Sequence, residues 1–487
     1  MPTQAPNPKS VRGDFFNDLG AAGSRGLANG VKIRKPNTNS GGRSVRGVAD
    51  EHSRIRGRVQ NGADSLLLKA TRGGSNLTKL LKRSITSRLK AEEGDCSLNP
   101  AIMRILLVGN YTLDNQASMQ RYADMLRQHL TYRGHQVEII RPRPILGNLI
   151  AQPTVRKWLG YIDKYVLFPF ELRSRVQGFD LVHVCDHSQS MYLRHAGDCP
   201  ASITCHDLLA IGSAHGHYPR QKISFTGRMQ QRWILKHLSD ATDVVCVSAN
   251  TAHELAMFSG GAGQKIAVIP NALNFDFSPA SEESILNLRN RLGIASDEQY
   301  LFHIGGDVWY KNRLGVLRIF KLLLDILRVT GAPPLRLVIA GERFSQRMRD
   351  FITSNLVEGS VVEIVNPPNE DLRSLYSGAT ALLFPSLYEG FGWPLIEAQS
   401  CGCPVITSNR PPMTEVAGSA ALYIDPADEP AAATAIAANL NRLALLREAG
   451  FHNARRFDPA VIIPAYEEFF AAVAQARRRT EESVRDI

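Results

Sequence analysis

The sequence predicts an α/β protein made of two doubly wound, Rossmann-like domains that face each other across a cleft. Two observations support this fold class. Apolar, strand-like segments alternate with helical patterns from residue 102 onward, and the alternation stops over a polar stretch at residues 274–298 before it restarts. Strands that alternate with helices form parallel sheets covered on both faces. The two runs, of roughly 170 and 190 residues, each have the size of one domain.

The first run contains six strand-like segments, RILLVGNY, QVEIIRP, DLVHVCD, ASITCHD, DVVCVSA and KIAVIPNA. The second run contains another six, YLFHIGG, LRLVIAG, VVEIV, ALLFPS, PVITS and ALYIDP. Helical patterns lie between them, such as the apolar stripe that runs from Met119 to Leu130. We place the first domain at residues 102–273 and the second at residues 274–460.

Polar side chains follow several of these strands directly. Ligands of open parallel sheets bind beyond the carboxyl ends of the strands, so a site is expected at these positions. A histidine–aspartate step is often only a loop-stabilising hydrogen bond, and a lone lysine is often only a solvated surface residue. Their common position at the edges of both sheets makes them site candidates. The residues are Asp186, His187, His206, Asp207, Lys311, Asn312 and Glu389.

The net charge of +11 belongs almost entirely to the first 100 residues, which hold 18 lysines and arginines against 8 acids. The rest of the chain holds 39 lysines and arginines against 38 acids and is nearly neutral. Residues 1–101 are rich in Gly, Ser, Asn and Arg and poor in aromatics, which predicts a disordered basic extension. We expect no specific nucleic-acid partner, because the extension has no stacking platform and the folded part has no basic groove.

Residues 77–91 contain a candidate amphipathic helix, LTKLLKRSITSRLK, with apolar residues at helical spacing between lysines and arginines. Such a helix can lie on an anionic membrane and make the protein peripheral on the inner face of that membrane. It can equally be a solvated linker helix. A third interpretation is an upstream extension without function, because MRILLVGNY begins at Met103 as many α/β enzymes begin.

The remaining composition indicates a cytoplasmic protein. No run approaches the 18 or so consecutive apolar residues of a membrane span, and the first residues lack the pattern of a secretory signal. Seven scattered cysteines do not suggest a disulfide framework. Cys401 and Cys403 flank a turn without a second pair of ligands, so no metal site is expected.

The segment YEGFGWPLIE places two glutamates around residues that interrupt helices. Gly390 and Gly392 are poor helix formers, and Pro394 is tolerated at the start of a helix but not inside one. We therefore predict a strand–loop–helix–strand unit in which the helix begins at Pro394. Glu389 then lies in the loop and Glu397 in the first turn of the helix.

These residue types suit a nucleotide-sugar. Its diphosphate gains negative charge as the sugar bond breaks, and a site without a metal must meet that charge with cations and free backbone N–H groups. Lys311 supplies a cation, and the helix at Pro394 supplies N–H groups and the positive end of its dipole. Glu389 can accept from sugar hydroxyls and Glu397 from the two ribose hydroxyls. The alternative for Glu397 is a structural role that complements the dipole.

Residues 384–426, FPSLYEGFGWPLIEAQSCGCPVITSNRPPMTEVAGSAALYIDP, resemble the signature region of the family 4 (group 1) retaining glycosyltransferases, which have the two-domain GT-B fold. The resemblance extends more thinly from about Met103 to about residue 475 and includes TCHDL, IPNAL and IGGDVWYKNRLGVL. A Glu-x7-Glu spacing alone is common. The spacing becomes specific when it follows a buried strand, contains Gly-Phe-Gly and leads into the segment EAQSCGCPVITS.

The final helical stretch, at residues 461–480, is similar to the family's closing helix, which returns to the first domain. The resemblance also implies a role for each matching residue. Glu389 matches the glutamate that holds hydroxyls of the donor sugar, and Glu397 matches the one that binds the ribose. Lys311 matches the lysine that neutralises the diphosphate, and His206 the first-domain histidine near the reacting face of the sugar. His206, Lys311 and Glu389 are therefore the expected catalytic residues. The implied donor-binding set is Gly306, Lys311, Asn312, Arg313, Glu389, Gly390, Phe391, Gly392, Trp393, Pro394, Leu395 and Glu397.

Two departures from the family pattern affect the phosphate contacts. The family arginine five residues before the lysine is Gly306 here, so the diphosphate is held more lightly or Arg313 substitutes. The glycine pair that follows the first strand in many members is absent from GNYTLDNQASMQR. Asn115, Gln116 and Ser118 are the candidates to replace it, although Ser118 is equally suited to be a plain N-cap. The candidate acceptor and phosphate side is completed by Asp186, His187 and Asp207.

The resemblance implies a retaining, metal-independent transfer of a hexose, such as mannose, from a nucleotide-diphosphate sugar to a glycan or lipid-linked acceptor in cell-surface polysaccharide synthesis. No bound cofactor is expected. No pair of carboxyls is placed as nucleophile and acid, as in retaining hydrolases, so the departing diphosphate is expected to take the acceptor's proton. The alternatives are an epimerase or phosphorylase of the same fold, or a non-catalytic sugar-nucleotide-binding protein.

Overall fold

A computed structural model describes residues 102–114, 116–149, 152–218, 221, 223–260, 263–331, 333 and 335–485. The basic segment 1–101 and the helix predicted at 77–91 lie outside these residues, as does Asn115. No helix in the described part of the chain is long and apolar enough to cross a membrane. The six cysteines within it are free thiols.

Six parallel strands form the first sheet, in the order β2-β1-β3-β4-β5-β6. Leu106 of the first strand lies opposite Glu138 on one side and Val182 on the other. The strands are β1 Arg104–Val108, β2 Gln136–Ile140, β3 Leu181–Val184, β4 Ala201–Cys205, β5 Asp243–Cys246 and β6 Lys265–Val268. The α-helices of this half are α1 Ala117–Tyr132, α2 Pro153–Ile162, α3 Phe168–Arg175, α4 Leu209–Ala214, α5 Phe225–Ser239 and α6 Ala249–Ser259. A π-helical turn, Asp163–Leu167, joins α2 to α3, and 3-10 turns occupy Thr112–Asp114 and His187–His195.

Six more parallel strands form the second sheet, in the order β12-β11-β10-β7-β8-β9. They are β7 Gln299–Gly305, β8 Leu335–Gly341, β9 Val361–Val365, β10 Ala381–Phe384, β11 Val405–Ser408 and β12 Ala421–Ile424. The α-helices are α7 Glu282–Arg291, α8 Arg313–Thr330, α9 Gln346–Asn355, α10 Asn369–Gly378, α11 Trp393–Ser400, α12 Met413–Ala417, α13 Glu429–Asn439, α14 Arg447–Ala454 and α15 Pro459–Arg485. The 3-10 segments are Trp309–Lys311, Leu440–Leu446 and Arg455–Phe457.

Alternate residues of the strands enter separate hydrophobic cores on the two faces of each sheet. In β1, Leu106 and Val108 join a core with Phe168 of α3, whereas Ile105 and Leu107 face the other side. A strand that is apolar on both faces is the expected signature of a parallel sheet between two layers of helices. The predicted α/β class with two doubly wound domains is therefore confirmed.

The strand order of each sheet reverses at one point. Strand β1 pairs with both β2 and β3, and strand β7 pairs with both β8 and β10. At such a switch point the following loops run to opposite sides and leave a crevice beyond the carboxyl ends of the strands. A ligand site is therefore expected at the loops after β1 and β3 and at those after β7 and β10.

The last helix, α15, packs on the first domain although it follows the second in the chain. The hydroxyl of Tyr466 lies 2.8 Å from the hydroxyl of Tyr122 in α1, which lies 2.7 Å from Thr204 Oγ1 in β4. Phe470 joins the core that contains Ile105 of β1. The chain thus crosses between the two halves twice. The domain boundaries predicted at residues 273 and 460 stay predictions.

Replacing Glu467 by alanine should weaken the attachment of α15 to the first domain. Its buried carboxylate accepts hydrogen bonds from Arg133 Nε at 2.6 Å and from His135 Nε2 at 3.0 Å. Hydrogen bonds to charged groups contribute about 1.5–3 kcal/mol, and Arg133 is partly exposed, so we expect a loss of about 2 kcal/mol in the free energy of unfolding. Denaturant titration measures it. Glu468→Ala, at the exposed neighbouring position, is the control, and equal losses in both variants would contradict the prediction.

Candidate active site

The loops that follow β7 and β10 are tied together at the switch point of the second sheet. Asn312 has a φ of 56°, a left-handed conformation that asparagine tolerates better than most residues. Its Nδ2 donates to the carbonyl of Pro385 at 3.1 Å, and the Leu387 N–H donates to the carbonyl of Tyr310 at 2.7 Å. Gly315 leaves room for the Asn312 amide, since a Cβ there would lie 2.4 Å from it.

Lys311 and Glu389 form an ion pair at this junction. Lys311 Nζ lies 2.7 Å from Oε1 and 2.9 Å from Oε2 of Glu389, and the two side chains are only 19% and 8% exposed. The same Nζ lies 5.2 Å from the centre of the Phe384 ring at the end of β10. Because little water reaches the pair, each charge depends on the other. A ligand that takes one partner must therefore compensate the charge of the other.

Helix α11 follows this ion pair in the chain. Gly392 has a φ of 98°, a left-handed conformation that favours glycine, and this lets the loop turn into the helix. Trp393 is the first helical residue and Pro394 the second, so the helix begins one residue earlier than predicted. Proline suits this position because its missing N–H would have no partner inside the helix. The other N–H groups and the helix dipole make this end suitable for an anion.

Glu397 lies one turn into α11 and is buried. The hydroxyl of Tyr376 in α10 donates to its Oε2 at 2.8 Å. Burial raises the pKa of Glu397 to about 6, although Tyr376, Arg121 and Lys311 favour the charged form. Arg121 belongs to α1 of the first domain. Glu397 therefore changes its charge near neutral pH.

Three side chains of the predicted donor set pack inside the protein. Phe391 packs edge-on against Phe457, with ring centroids 5.6 Å apart, and Leu395 is fully buried. Trp393 donates from Nε1 to the carbonyl of Ala272 at 2.9 Å, which fastens α11 to the end of the first domain. These side chains position the loop and the helix, and any contact with a donor would come from their backbone.

The side chain of Arg313 turns inward and is buried, and its Nε and Nη1 have no hydrogen-bond partner among the described residues. Its side chain is 2% exposed and donates to the carbonyl of Glu342 at 2.9 Å, with its guanidinium 5.5 Å from the centre of the Phe344 ring. Burial lowers the pKa of Arg313. A Cβ at Gly306 would lie 3.1 Å from Glu342 Oε1, so a carboxylate stands where the family arginine would begin.

His206 follows β4 and is buried against Tyr122, with the two rings edge to face and their centroids 4.5 Å apart. Its Nε2 lies 2.9 Å from the carbonyl of Cys185, so Nε2 carries the proton and Nδ1 presents a lone pair. Nδ1 has no hydrogen-bond partner among the described residues. Burial lowers the pKa of His206 and keeps the ring neutral. A neutral ring with a free lone pair can accept a hydrogen bond from a sugar hydroxyl.

Asp186 holds the switch point of the first sheet together. Its Oδ2 accepts from Asn110 Nδ2 and from Ser188 Oγ, each at 2.6 Å, and Asn110 also donates to Gln116 Oε1. His187 Nδ1 lies 3.2 Å from Asp186 Oδ1, at ion-pair distance. Burial alone would raise the pKa of Asp186, but His187 and the hydrogen bonds lower it well below its usual range. Burial opposes the charge of His187 as well, and Asp186 raises the pKa of that imidazole.

The other predicted residues of the first domain are peripheral to this network. Asp207 Oδ1 accepts from the N–H of Leu209 at 3.0 Å and so orders the entry into α4. Ser118 is the exposed second residue of α1, and the N-cap position belongs to Gln116, so Ser118 is not the N-cap. In the part of the chain that the structure describes, no three His, Cys, Asp or Glu side chains form a potential metal-binding group.

The two domains touch at Gly390. A Cβ there would lie 1.9 Å from the carbonyl oxygen of His206, so only glycine fits. The carbonyl of Gly390 accepts from Ser248 Oγ at 2.9 Å. Glu415 of α12 reaches across to accept from the first N–H of α6 at 2.9 Å, a favourable place for a carboxylate. Glu389 is thus held next to the strand ends of the first domain.

Aromatic side chains from both domains lie beside the ion pair. Tyr218 of the first domain contacts Tyr388, with ring centroids 4.5 Å apart, and Trp309, with centroids 5.6 Å apart. Trp309 Nε1 also donates to Gln221 Oε1 at 2.7 Å. Tyr388 directly precedes Glu389 in the chain. These contacts join the two domains beside Glu389.

Asn110, Tyr122 and Tyr376 complete this arrangement, and the sequence did not single them out. Asn110 directly follows β1, so the rule that polar residues at strand ends mark a site could have found it. Tyr122 and Tyr376 lie on the apolar faces of helices, where an aromatic residue usually belongs to the core. Their hydroxyl partners, Thr204 and Glu397, are distant in sequence and gave no signal.

Two family models match the chain in succession. Residues 119–277 match the model of Glycosyltransferase Family 4, and residues 284–450 match that of Glycosyl transferases group 1. The break between the matches falls between β6 and β7, so the first model covers β2 to β6 and the second covers β7 to β12.

Relatives of known name are similar at modest identity. The O-antigen chain mannosyltransferase B of Escherichia coli is 30% identical over 247 residues, which are 50% of this chain and 61% of the relative. The O-antigen chain mannosyltransferase RfbU of Salmonella typhimurium is 27% identical over 289 residues, which are 58% of this chain and 71% of the relative. This chain therefore spans less than two thirds of the first relative's length.

Solved structures share the fold at lower identity. Sucrose-phosphate synthase from Thermosynechococcus elongatus matches with a TM-score of 0.58 and 20% identity over 78% of this chain and 100% of that one. Anabaena Alr3699/HepE, solved in complex with UDP and glucose, matches with a TM-score of 0.57 and 17% identity over 76% and 100%. These similarities confirm the predicted two-domain fold.

Gly390→Ala should separate the two domains without unfolding them. The added Cβ meets the backbone of His206, which cannot rotate away, so the loops must move apart. We expect a loss of about 1–3 kcal/mol in stability and a larger radius of gyration in X-ray scattering, with unchanged circular dichroism. Gly450→Ala is the control, because its Cβ would make only ordinary contacts, 3.4 Å or more away. An unchanged radius and stability in Gly390→Ala would contradict the prediction.

Proposed function

We propose that this chain, which belongs to the group 1 glycosyltransferases of the GT-B fold, transfers a hexose from a nucleotide-diphosphate sugar to a glycan or lipid-linked acceptor. The supporting observation is the ion pair of Lys311 and Glu389 at the switch point of the second sheet, immediately before the N-terminus of α11. A cation, a carboxylate and a helix N-terminus within one short region match the diphosphate and the hydroxyls of one ligand.

In the proposed complex each of these groups binds one part of the donor. Lys311 and the N-terminal N–H groups of α11 hold the diphosphate, and Glu389 accepts hydrogen bonds from sugar hydroxyls. Glu397 accepts from the ribose hydroxyls while Tyr376 orients its carboxyl group. His206 accepts a sugar hydroxyl at Nδ1 from the other side of the cleft. The ion pair exchanges its internal contact for contacts with the donor, so both charges stay compensated.

The proposed reaction retains the configuration of the sugar and needs no metal. The bond between the anomeric carbon and the diphosphate oxygen breaks, and a bond to the acceptor oxygen forms on the same face. The departing diphosphate takes the proton of the acceptor hydroxyl. Lys311 and α11 stabilise the negative charge that grows on the leaving group. Both oxygens of Glu389 are bound to Lys311, which supports a binding role rather than that of a free nucleophile.

We further propose mannose as the hexose and cell-surface polysaccharide synthesis as the setting. The support is that two relatives are named O-antigen chain mannosyltransferases. We also propose a cytoplasmic location, where nucleotide-sugars are made.

Lys311→Ala and Glu389→Gln should each lower kcat/KM of hexose transfer by about 100-fold or more, because the first removes a cation that stabilises the leaving group and the second removes the carboxylate that holds the sugar hydroxyls. The assay incubates the full chain with a nucleotide-hexose and a lipid-linked or oligosaccharide acceptor, and nuclear magnetic resonance identifies the anomer formed. Retention is expected. Lys321→Ala is the control, because Lys321 is a lysine of the second domain that pairs with Asp325 on the helix surface.

Three results would oppose this proposal. Near-normal transfer in both variants would remove Lys311 and Glu389 from the mechanism. Turnover of the donor without acceptor, at the same rate as with it, would identify an epimerase or a hydrolase. A product of inverted configuration would exclude transfer on the same face.

Donor affinity should fall as the pH drops through about 6. A ribose hydroxyl donates best to a charged carboxylate, and Glu397, with its pKa raised to about 6, loses its charge below that pH. The diphosphate of a nucleotide-sugar does not titrate in this range. We expect the dissociation constant to rise about tenfold per pH unit below the pKa, measured by calorimetry. Glu397→Gln should bind weakly at every pH with a flat profile, and the same slope in that variant would assign the effect to another group.

A further inference from the structure

An exposed apolar stripe runs along α2, the π turn and α3 of the first domain. Trp158, Ile162, Val166 and Phe170 recur every four residues, which places them along one side of a helical segment. They are between 39% and 68% exposed. Large apolar side chains in soluble proteins are usually exposed singly, and a row of four indicates a surface that binds something.

A second stripe lies on α5. Phe225, Met229 and Trp233 also recur every four residues and are 70%, 55% and 36% exposed. The opposite side of α5 packs into the domain through Ile234 and Leu238, which are buried. The helix is therefore apolar on its outer side as well as its inner side.

Ring contacts join the two stripes into one surface. Tyr161 lies between Trp158 and Tyr165, with ring centroids 5.6 Å from each. The ring centroids of Tyr165 and Trp233 lie 5.2 Å apart, and Gln230 Nε2 donates to the Tyr165 hydroxyl at 2.9 Å. We call this continuous patch, from Trp158 and Phe170 to Phe225 and Trp233, the aromatic face.

Cations surround the aromatic face. Helices α2 and α5 contain no aspartate or glutamate. Both carry exposed basic residues, and none of these forms an ion pair with a carboxylate in the described part of the chain. The residues are Arg156, Lys157, Arg228, Arg232 and Lys236. Tryptophan and phenylalanine set among unpaired lysines and arginines are typical of helices that lie at the surface of an anionic bilayer.

We propose that the aromatic face docks on an anionic lipid membrane, with its rings at headgroup depth and its cations on the lipid phosphates. The positive charge of the aromatic face favours a membrane over two other partners, a second copy of this chain and the basic segment 1–101. A second copy would bring the same five cations against it, and residues 1–101 are themselves strongly basic, so both would be repelled. An anionic bilayer attracts the cations and also accepts the apolar stripes.

The aromatic face adjoins the side of the cleft where an acceptor would enter. Lys164, in the π turn between the stripes, pairs with Asp114 at 2.9 Å and lies over the ring of Tyr111. Asp114 and Tyr111 belong to the loop after β1, at the switch point of the first sheet. Docking would therefore bring a membrane next to the cleft, which suits a lipid-linked acceptor. That last point rests on the proposed function, whereas docking itself does not.

Tryptophan fluorescence of the full chain tests the proposal directly. The four tryptophans are residues 158, 233, 309 and 393, so the basic segment 1–101 contributes none. Trp309 and Trp393 are hydrogen-bonded inside the protein. Vesicles with brominated acyl chains and about one-third phosphatidylglycerol should therefore quench the emission of Trp158 and Trp233. Neutral phosphatidylcholine vesicles should quench much less. A Trp158→Phe, Trp233→Phe variant should bind vesicles and lose most of the quenching.

A second variant separates the aromatic face from the basic segment. Phe170→Ser with Phe225→Ser should weaken vesicle binding about tenfold, because two apolar side chains lose their burial. Tyr132→Ser is the matched control, since Tyr132 is 89% exposed at the far end of α1. Both sites are exposed, so folding should be unaffected, and circular dichroism checks this.

The proposal fails on any of three results. Vesicle binding without tryptophan quenching would assign the binding to residues 1–101. Equal quenching by neutral vesicles would remove the role of the cations. A dimer in sedimentation that Phe170→Ser dissolves would assign the aromatic face to a second copy. None of these readouts requires hexose transfer, so failure of the proposed function would leave them interpretable.

Discussion

The ion pair between Lys311 and Glu389 is the interaction on which the rest of the site depends. It joins two loops that leave neighbouring strands, β7 and β10, in opposite directions, which is possible only at the switch point of a parallel sheet. Asn312 fixes the distance between these loops through the Pro385 carbonyl. Because the pair is largely shielded from water, a ligand that binds there must supply partners for both the cation and the carboxylate.

The contact at Gly390 brings the first domain to this ion pair. With His206 backbone against Gly390, the lone pair of His206 Nδ1 is shut off from solvent and has no partner among the described residues. A ligand that used Nδ1 of His206 would need this contact between the domains to open. Ser248 and Glu415, which bridge the domains with hydrogen bonds, are the contacts that opening would break.

Local sequence patterns were sufficient to predict the fold and the loop and helix start that follow β10, but they did not predict which residues far apart in the sequence pair. The alternation of strands and helices predicted both sheets, and the glycines and Pro394 predicted the loop and helix start within one residue. The sequence could not reveal that Arg313 turns inward to the Glu342 carbonyl, since an arginine beside a lysine has the same pattern in either orientation. Nor could it pair Glu397 with Tyr376, or Tyr466 of α15 with Tyr122 of α1, because folding brings these residues together from distant positions in the sequence.

Calorimetric titration of three proteins with two ligands tests most directly which member of the ion pair binds the diphosphate and which binds the sugar. The proteins are the full chain, Lys311→Ala and Glu389→Gln, and the ligands are a nucleoside diphosphate and the matching nucleotide-hexose. Loss of Lys311 should weaken both ligands by the same factor, about tenfold or more. Loss of Glu389 should weaken only the nucleotide-hexose and leave the nucleoside diphosphate as tight or tighter, because Lys311 is released from its partner. Equal weakening of both ligands by Glu389→Gln, or no change with Lys311→Ala, would contradict this assignment.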